Sequence, residues 1–413
     1  MSFGYWNDEG KFAITSNKFS KFKTTLKNNA DLGGTYGFYN DTTDKDFEYH
    51  LWFVPYSDLQ LRNYSDDIIK EIFPKPELTY SDKKLYVIID RCVEAITGTN
   101  LLNKLKDMDY NIRRIKILCN NKFKKRKENF VPFCWEFFHH GLILSRDTLD
   151  FNRFYKTYDI KYRNQVDDSE SFKEWLYKLP NFKTKPKREF RCLFYNAVLH
   201  PHRLIMLGDM KRRHLHDDVL YSAINRGSES RGKLISRIKS SDLNCSSEIL
   251  QHIEKLIDDE VPKMLGNEFK GDQEFMNYLI NPNHYNSTWF SLVGETTYQD
   301  NSCTRLTEKT LKASMMHPFI MAGTQGSLQM FKDFGFKTFP NLFDESYDLI
   351  RNNSERLKFI MNQVHVVLRM NEKEFMNKME ESYENVKFNQ KHWMNLHDTL
   401  EKYLLGVFHE MVQ

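Results

Sequence analysis

The run Thr307-Glu308-Lys309-Thr310 combines residue types that open a helix with types that handle phosphate. Thr307 is placed to act as an N-cap, and the free backbone N–H groups of the turn it opens favour an anion such as a diphosphate. Glu308 alone is ordinary first-turn chemistry, because acidic residues suit the positive end of a helix. Lys309 is a cation where the macrodipole disfavours one, so its presence asks for a further reason. Upstream, Glu295 follows the apolar run Trp289-Phe290-Ser291-Leu292-Val293, at the point where a buried strand would give way to a polar loop. In open α/β folds, ligands bind at such carboxyl ends of parallel strands. Gly323 and Gly326 follow the apolar run Phe319–Ala322, where glycine lets the backbone approach a ligand closely.

These residues need elements to position them, and the sequence supplies an alternating set. Leu85–Asp90 and Arg114–Cys119 read as buried strands flanking a helix near Leu101–Met108, the spacing of a parallel βαβ unit. Glu48–Val54 gives a weaker strand signal. Pro180–Arg191, with two prolines among lysines, reads as a linker. Beyond it the pattern restarts: a strand at Phe190–Tyr195, a helix at His202–Arg213, and a longer helix at Ser246–Leu265. There follow a strand at Trp289–Val293, a helix at Glu308–Met316, a strand at Pro318–Ala322 and a helix at Ser327–Phe334. Ser354–Gln413 reads as helical throughout.

The segment from Phe290 to Asp348 resembles the donor-binding half of GT-B glycosyltransferases. It is similar to the part of α-1,3-fucosyltransferases where an acidic residue after a strand precedes a Thr-Glu-Lys helix start. It resembles more closely a group of phage and giant-virus glycosyltransferases. The shared run comprises Glu295-Thr296, Thr307 to Thr310, Pro318-Phe319, Gly323, Gly326-Ser327-Leu328, Gly335 to Phe339 and Asp344 to Asp348. A second piece is Tyr195-Asn196 followed by His200-Pro201-His202-Arg203; here Ala197 stands where the viral group has Arg. The resemblance covers Arg191 to about Asp348.

It implies an α/β fold of two Rossmann-like (GT-B) domains: an acceptor domain over 1–185, a nucleotide-sugar-binding domain over 186–365, and C-terminal helices over 366–413 packing across both. Glu308 would hydrogen-bond the nucleotide ribose. Lys309 and Arg203 would neutralise the diphosphate as leaving-group charge develops. Glu295 would contact the donor sugar or orient the helix start. Asn196 would lie near the phosphates, with His202, Thr307 and Gly323 completing the donor site. The co-substrate would be a nucleotide sugar, UDP-sugar first, with no cofactor and no metal.

An inverting transfer also needs a general base to deprotonate the acceptor hydroxyl. Asp90 and Glu94, after the Leu85–Ile89 run, suit by position; Glu136, inside Phe133-Cys134-Trp135-Glu136-Phe137-Phe138, suits because aromatic surroundings raise a carboxyl pKa. Paired histidines at 139–140, 200 and 202, and 214 and 216 lack metal-ligand spacing. Asp107-Met108-Asp109 has the Asp-x-Asp pattern of GT-A enzymes, the alternative fold. Basic runs at Lys122–Lys127, Lys183–Arg188 and Lys211-Arg212-Arg213 make DNA a candidate partner if they share a face. Acceptors, in order, are a hydroxymethylated base in phage DNA, a glycan or lipid-linked sugar, and a protein.

Bulk composition sets the limits around this reading. With 60 basic and 56 acidic residues the chain is near balance, which does not mark a dedicated nucleic-acid binder. Hydrophobic residues at 40% suffice for real cores and exclude a disordered chain. Six scattered cysteines form no disulfide framework and point to a reducing, cytoplasmic setting, the host's if the protein is viral. No leader precedes an apolar run at Met1–Asp8, and no stretch approaches the roughly 20 apolar residues of a membrane span, so no membrane partner is expected.

Overall fold

A computed structural model describes residues 4–5, 12–15, 38–39, 49–55, 65–81, 85–91, 99–119, 122–123, 129–132, 188–225, 227–265, 282–299 and 303–394. They divide between two units, one drawn from Met1–Glu136 and the other from Phe137–Thr399. Both are mixed α/β structures built on parallel sheets.

The first unit holds five parallel strands, Phe12–Thr15 (β1), Tyr49–Pro55 (β2), Leu85–Arg91 (β3), Ile115–Cys119 (β4) and Phe130–Pro132 (β5), in that spatial order. Val87 pairs in register with Ile115 and Ile89 with Ile117, so period-two alternation puts all four on one face. That face is buried with Ile69 from helix Asp66–Ile72 (α1), Phe73 just beyond it, and Leu101 and Leu105 from helix Thr99–Asp107 (α2). Helix α2 ends because Asp109 turns left-handed (φ 62°), letting the Tyr110 N–H reach Leu105 O at 3.0 Å and the Asp109 N–H reach Lys106 O at 3.0 Å. The Asp-x-Asp triplet is thus the stop of a helix. Spatial order follows chain order along this sheet, so among the described residues it has no point where the winding reverses.

The second unit is wound differently. Its parallel strands are Cys192–Phe194 (β6), Val219–Tyr221 (β7), Phe290–Gly294 (β8) and Phe319–Ala322 (β9), in the order β7-β6-β8-β9. All but Leu220 of these strand residues are buried, as expected of strands covered on both faces. Its described helices of seven residues or more are Pro201–Arg212 (α3), Arg231–Lys239 (α4), Ser247–Glu260 (α5), Glu308–Met316 (α6), Ser327–Asp333 (α7), Asn353–Arg369 (α8) and Glu372–Met394 (α9). Helices α3 and α5 cross closely at Gly208, where a Cβ would lie 2.5 Å from Ile253 Cγ1 and 3.0 Å from Ile249 O. Only glycine admits that approach.

Several sequence expectations shift here. The helix foreseen over Ser246–Leu265 stops at Glu260, since Val261 precedes Pro262 and is pushed to extended backbone (φ −88°, ψ 126°). The stretch read as helical from Ser354 holds, over its described part, two helices divided where the Asn371 side chain accepts the Glu374 N–H at 3.0 Å and restarts the winding. Residue 365 lies inside α8, so a domain border there would cut a continuous helix. Helix α9 packs on α6, with Trp393 Nε1 donating to Ser314 Oγ at 3.0 Å. Among the described residues no helix is long and apolar enough to cross a membrane.

The Asp344–Asp348 segment is scaffolding. Asp344 caps its own short helix, Glu345 accepts the Phe339 N–H and pairs with Lys332, and Tyr347 Oη accepts the Met321 N–H. Asp348 is buried, and its carboxylate accepts the N–H groups of Gly326, Leu328 and Gln329 at 3.1, 3.1 and 2.9 Å. It does for α7 what the side-chain-less N-cap Gly326 (φ 87°) cannot. Asp348→Ala should lower stability by about 2 kcal/mol, read from urea unfolding. A loss under about 0.5 kcal/mol would mean those N–H groups find water instead.

Candidate functional site

In the second unit the chain leaves β6 for β7 on one side, then returns to β8 on the other. The crevice between the carboxyl ends of β6 and β8 is therefore a topological switch point, where α/β folds bind ligands. Asn196 follows β6, Glu295 follows β8, and Gly323 follows β9 beside it, since Gly294 and Ala322 are in register. Helix α3 opens at the same edge with His202 and Arg203; the α6 start is tied to it by the Glu295 carboxylate.

That tie is the best-defined feature of the site. Glu295 is fully buried, and its own N–H continues the ladder to Ala322 O at 2.9 Å. Its Oε1 accepts the Thr307 N–H at 3.1 Å and the Thr310 hydroxyl; its Oε2 accepts the Thr307 hydroxyl at 2.6 Å. Thr307 Oγ1 in turn accepts the Lys309 N–H at 3.4 Å as the N-cap. A carboxylate from the sheet thus fixes the first turn of α6. Of the two roles foreseen for Glu295, the geometry gives it that of orienting the helix start.

Glu308, buried at the first helical position, pairs with Lys309 Nζ, which also donates to Thr296 Oγ1 and Thr307 Oγ1 at 3.5 Å each. The Lys309 side chain keeps 24% of its surface exposed. The adjacent acid and the loop hydroxyl supply the reason for a cation at a helix start that the sequence could not.

Arg203 is placed differently from its expected role. It is 1% exposed and spans the switch point, Nη1 donating to Val198 O at 2.8 Å and Nη2 to Gly294 O at 2.6 Å. A Cβ on Gly294 would come within 3.2 Å of it, so the glycine makes room for the guanidinium. Burial pushes Arg203 down to about 10, with Glu295 and Glu308 holding it up. It braces two strand ends and contributes field, not an exposed contact.

His202 is neutral and internal. Its ring stacks between Tyr298 (4.9 Å) and His200 (5.9 Å), its Nε2–H donates to Glu295 O at 3.0 Å, and burial, then Arg203, holds its pKa well below the usual histidine range. Asn196 is buried too. Its N–H donates to Ser222 Oγ at 2.8 Å and its Nδ2 to Phe194 O at 3.3 Å, while Oδ1 meets no partner among the described residues. Gly323 lets Ser327 in, since a Cβ there would lie 3.1 Å from Ser327 Oγ.

Beside these residues opens a cleft of roughly 280 Å³, bordered by His200, His202, Arg237, Thr296 and Tyr298 among others. The chain matches no protein-family model, no curated protein and no solved structure.

Asp90 sits near the carboxyl end of β3, in register with Pro55 and Leu118; Glu94 and Glu136 fall outside the described residues. Of the basic runs, Lys183, Lys185, Lys187 and Lys124 to Lys127 also fall outside. Arg188 is buried, its guanidinium 4.4 Å over the Trp289 ring and donating to Thr288 O. Lys211 pairs with Glu260, and Arg212 and Arg213 both pair with Asp209. Lys211, Arg212 and Arg213 thus form intramolecular ion pairs, and Arg188 is committed to a backbone carbonyl and a ring. Among the described residues no three His, Cys, Asp or Glu side chains gather to hold a metal.

Sequence reading singled out neither Arg237 nor Tyr298. Arg237 carries no local signal, being one of several cations on an amphipathic helix. Tyr298 follows Glu295 closely enough to have been weighed with it.

Proposed function

We propose that the chain is a nucleotide-sugar-dependent glycosyltransferase with a GT-B-like division of labour, its donor held by the second unit at the β6–β8 crevice. One observation carries the reading. At a topological switch point, a buried carboxylate from the sheet braces a helix start that presents an acid and a part-exposed lysine side by side. The resemblance of Glu295, Thr307–Thr310, Gly323 and Asp344–Asp348 to fucosyltransferase-like and viral glycosyltransferases supports the same assignment. In the reaction an acceptor hydroxyl oxygen bonds to the anomeric carbon as the bond from that carbon to the diphosphate breaks. The hydroxyl proton goes to a base, and the diphosphate leaves with the electron pair. Glu308 holds the ribose and Lys309 the leaving phosphate. Asp90, Glu94 and Glu136 are the base candidates, and a hydroxymethylated DNA base is the first acceptor to try, ahead of glycans and proteins.

A non-catalytic nucleotide-binding protein is the second reading, favoured by the commitment of Arg203 to two backbone carbonyls. Thermal unfolding against UDP, GDP, CMP and their sugar conjugates tests both. A ligand at about 100 times its dissociation constant adds roughly 2.7 kcal/mol. Lys309→Ala and Glu308→Ala should each weaken the responding nucleotide about tenfold, and unchanged affinity in both would end the assignment. Hydrolysis of the donor without acceptor separates enzyme from binder.

A further inference from the structure

The cleft beside the α6 start holds a cation that the sequence does not advertise. Arg237 comes from the last turn of α4 and borders the cleft with its side chain 32% exposed. Its Nη1 pairs with Glu229, and its Nη2 donates to His200 Nδ1 at 3.3 Å. A guanidinium has no acceptor, so His200 Nδ1 must accept and the ring proton must sit on Nε2. His200 is then a neutral donor at the cleft wall.

Other features give the cleft positive character. Arg203, Arg237 and Lys309 all act on the His200 ring, and with burial first they push its pKa down to about 3, opposed only by Glu229. Helix α3 is twelve residues long and begins at Pro201 on the cleft edge, adding the positive end of its dipole. The carboxyl end of α4 would oppose this. There, however, the Ser240 and Ser241 hydroxyls donate to the carbonyls of Arg237 and Ile238, which blunts the partial negative charge. Among the described residues the border is small and polar, with no apolar floor on which a base would stack beyond the ring already paired with His202.

We propose that this cleft is an oxyanion pocket for a phosphate or diphosphate group, in which Arg237 supplies the charge and neutral His200 donates from Nε2. Under the function proposed above, the oxyanion is the diphosphate of the donor; the pocket's chemistry does not depend on what else the ligand carries. Arg237 contacts the ligand, Glu229 competes with the ligand for Arg237, and Arg203 acts through the field alone.

Calorimetric titration of the full chain with inorganic pyrophosphate, and separately with UDP, tests the assignment. Wild type should bind pyrophosphate with affinity that falls as salt rises. Arg237→Gln should weaken it about tenfold or more, with Arg237→Lys recovering part of the loss. Glu229→Gln, which releases Arg237 from its internal partner, should strengthen binding instead. Unliganded melting of each variant reports on the fold, and Glu229 in Arg237→Gln keeps Lys233 at 2.8 Å as a counter-ion. Failure of wild type to bind pyrophosphate, equal affinity in Arg237→Gln, or weaker binding in Glu229→Gln would each overturn the pocket. Pyrophosphate binding that responds to Arg237 while no nucleotide or nucleotide sugar binds would keep the pocket and remove the glycosyltransferase. Nucleotide binding lost in Lys309→Ala but untouched in Arg237→Gln would do the reverse.

Discussion

Glu295→Ala should cost the second unit about 3–5 kcal/mol, seen as a shift of its urea unfolding midpoint. The carboxylate is fully buried and takes bonds from the Thr307 N–H and from the hydroxyls of Thr307 and Thr310. Removing it strands three donors in the interior and deprives buried Arg203 of a nearby negative charge. Glu295→Gln keeps the shape and one good acceptor, and the two hydroxyls can turn to accept from its amide. A loss of about 1–2 kcal/mol is expected there. The pair of variants also separates two roles. If Glu295 only braces the helix, any effect of Glu295→Gln on nucleotide affinity should track the lost stability. A folded, stable Glu295→Gln that no longer transfers sugar would place the carboxylate on the substrate. An Ala variant losing under about 1 kcal/mol would refute the bracing role.

How much of this was readable beforehand differs from link to link. Three of the four strands of the second unit were legible because a sheet covered on both faces leaves unbroken apolar runs, as in Phe290–Val293 and Phe319–Ala322, whereas the three-residue strand Val219–Tyr221 was too short to stand out. The α6 start was legible to the residue, since Thr307 has the chemistry of an N-cap and the turn after it the right charges. The switch point was not: strand order depends on which side of β6 the chain returns, and no local pattern encodes that. Arg203 shows a second limit. The family resemblance at the start of its helix implied a phosphate contact, yet the space left by Gly294 draws it under the strand ends. Arg237 shows the converse. It lies in an unremarkable amphipathic helix, and only packing of α4 beside α3 brings it to His200. Residue type did not show which cations would be buried and which would stay part-exposed at the cleft.

Acid should destabilise the second unit from about pH 6.5 downward, through histidines that the fold keeps neutral. His202 is held neutral by burial and by Arg203, and His200 is pushed down to about 3 by burial, Arg203, Arg237 and Lys309. For a base with a depressed folded pKa, the unfolded chain binds the proton first. Stability is therefore complete above the unfolded value near 6.5 and falls as pH drops toward the folded values. Each such histidine contributes a slope that approaches about 1.4 kcal/mol per pH unit below about pH 5.5, so the slope of the pair should approach roughly 2.7 kcal/mol per pH unit there. Carboxyls with lowered pKa values, Glu229 and Glu260, add their losses only below their ordinary range. Asp348 works the other way, because burial raises its pKa and its folded form takes a proton early. Urea unfolding from pH 7.5 to 4.5 measures the slope, and His202→Gln should remove about half of it while lowering stability at pH 7.5. A flat profile between pH 6.5 and 5 would mean that the stacked histidines accept protons in place. In that case the cleft they border carries less positive field than the Arg203, Arg237 and Lys309 arrangement implies.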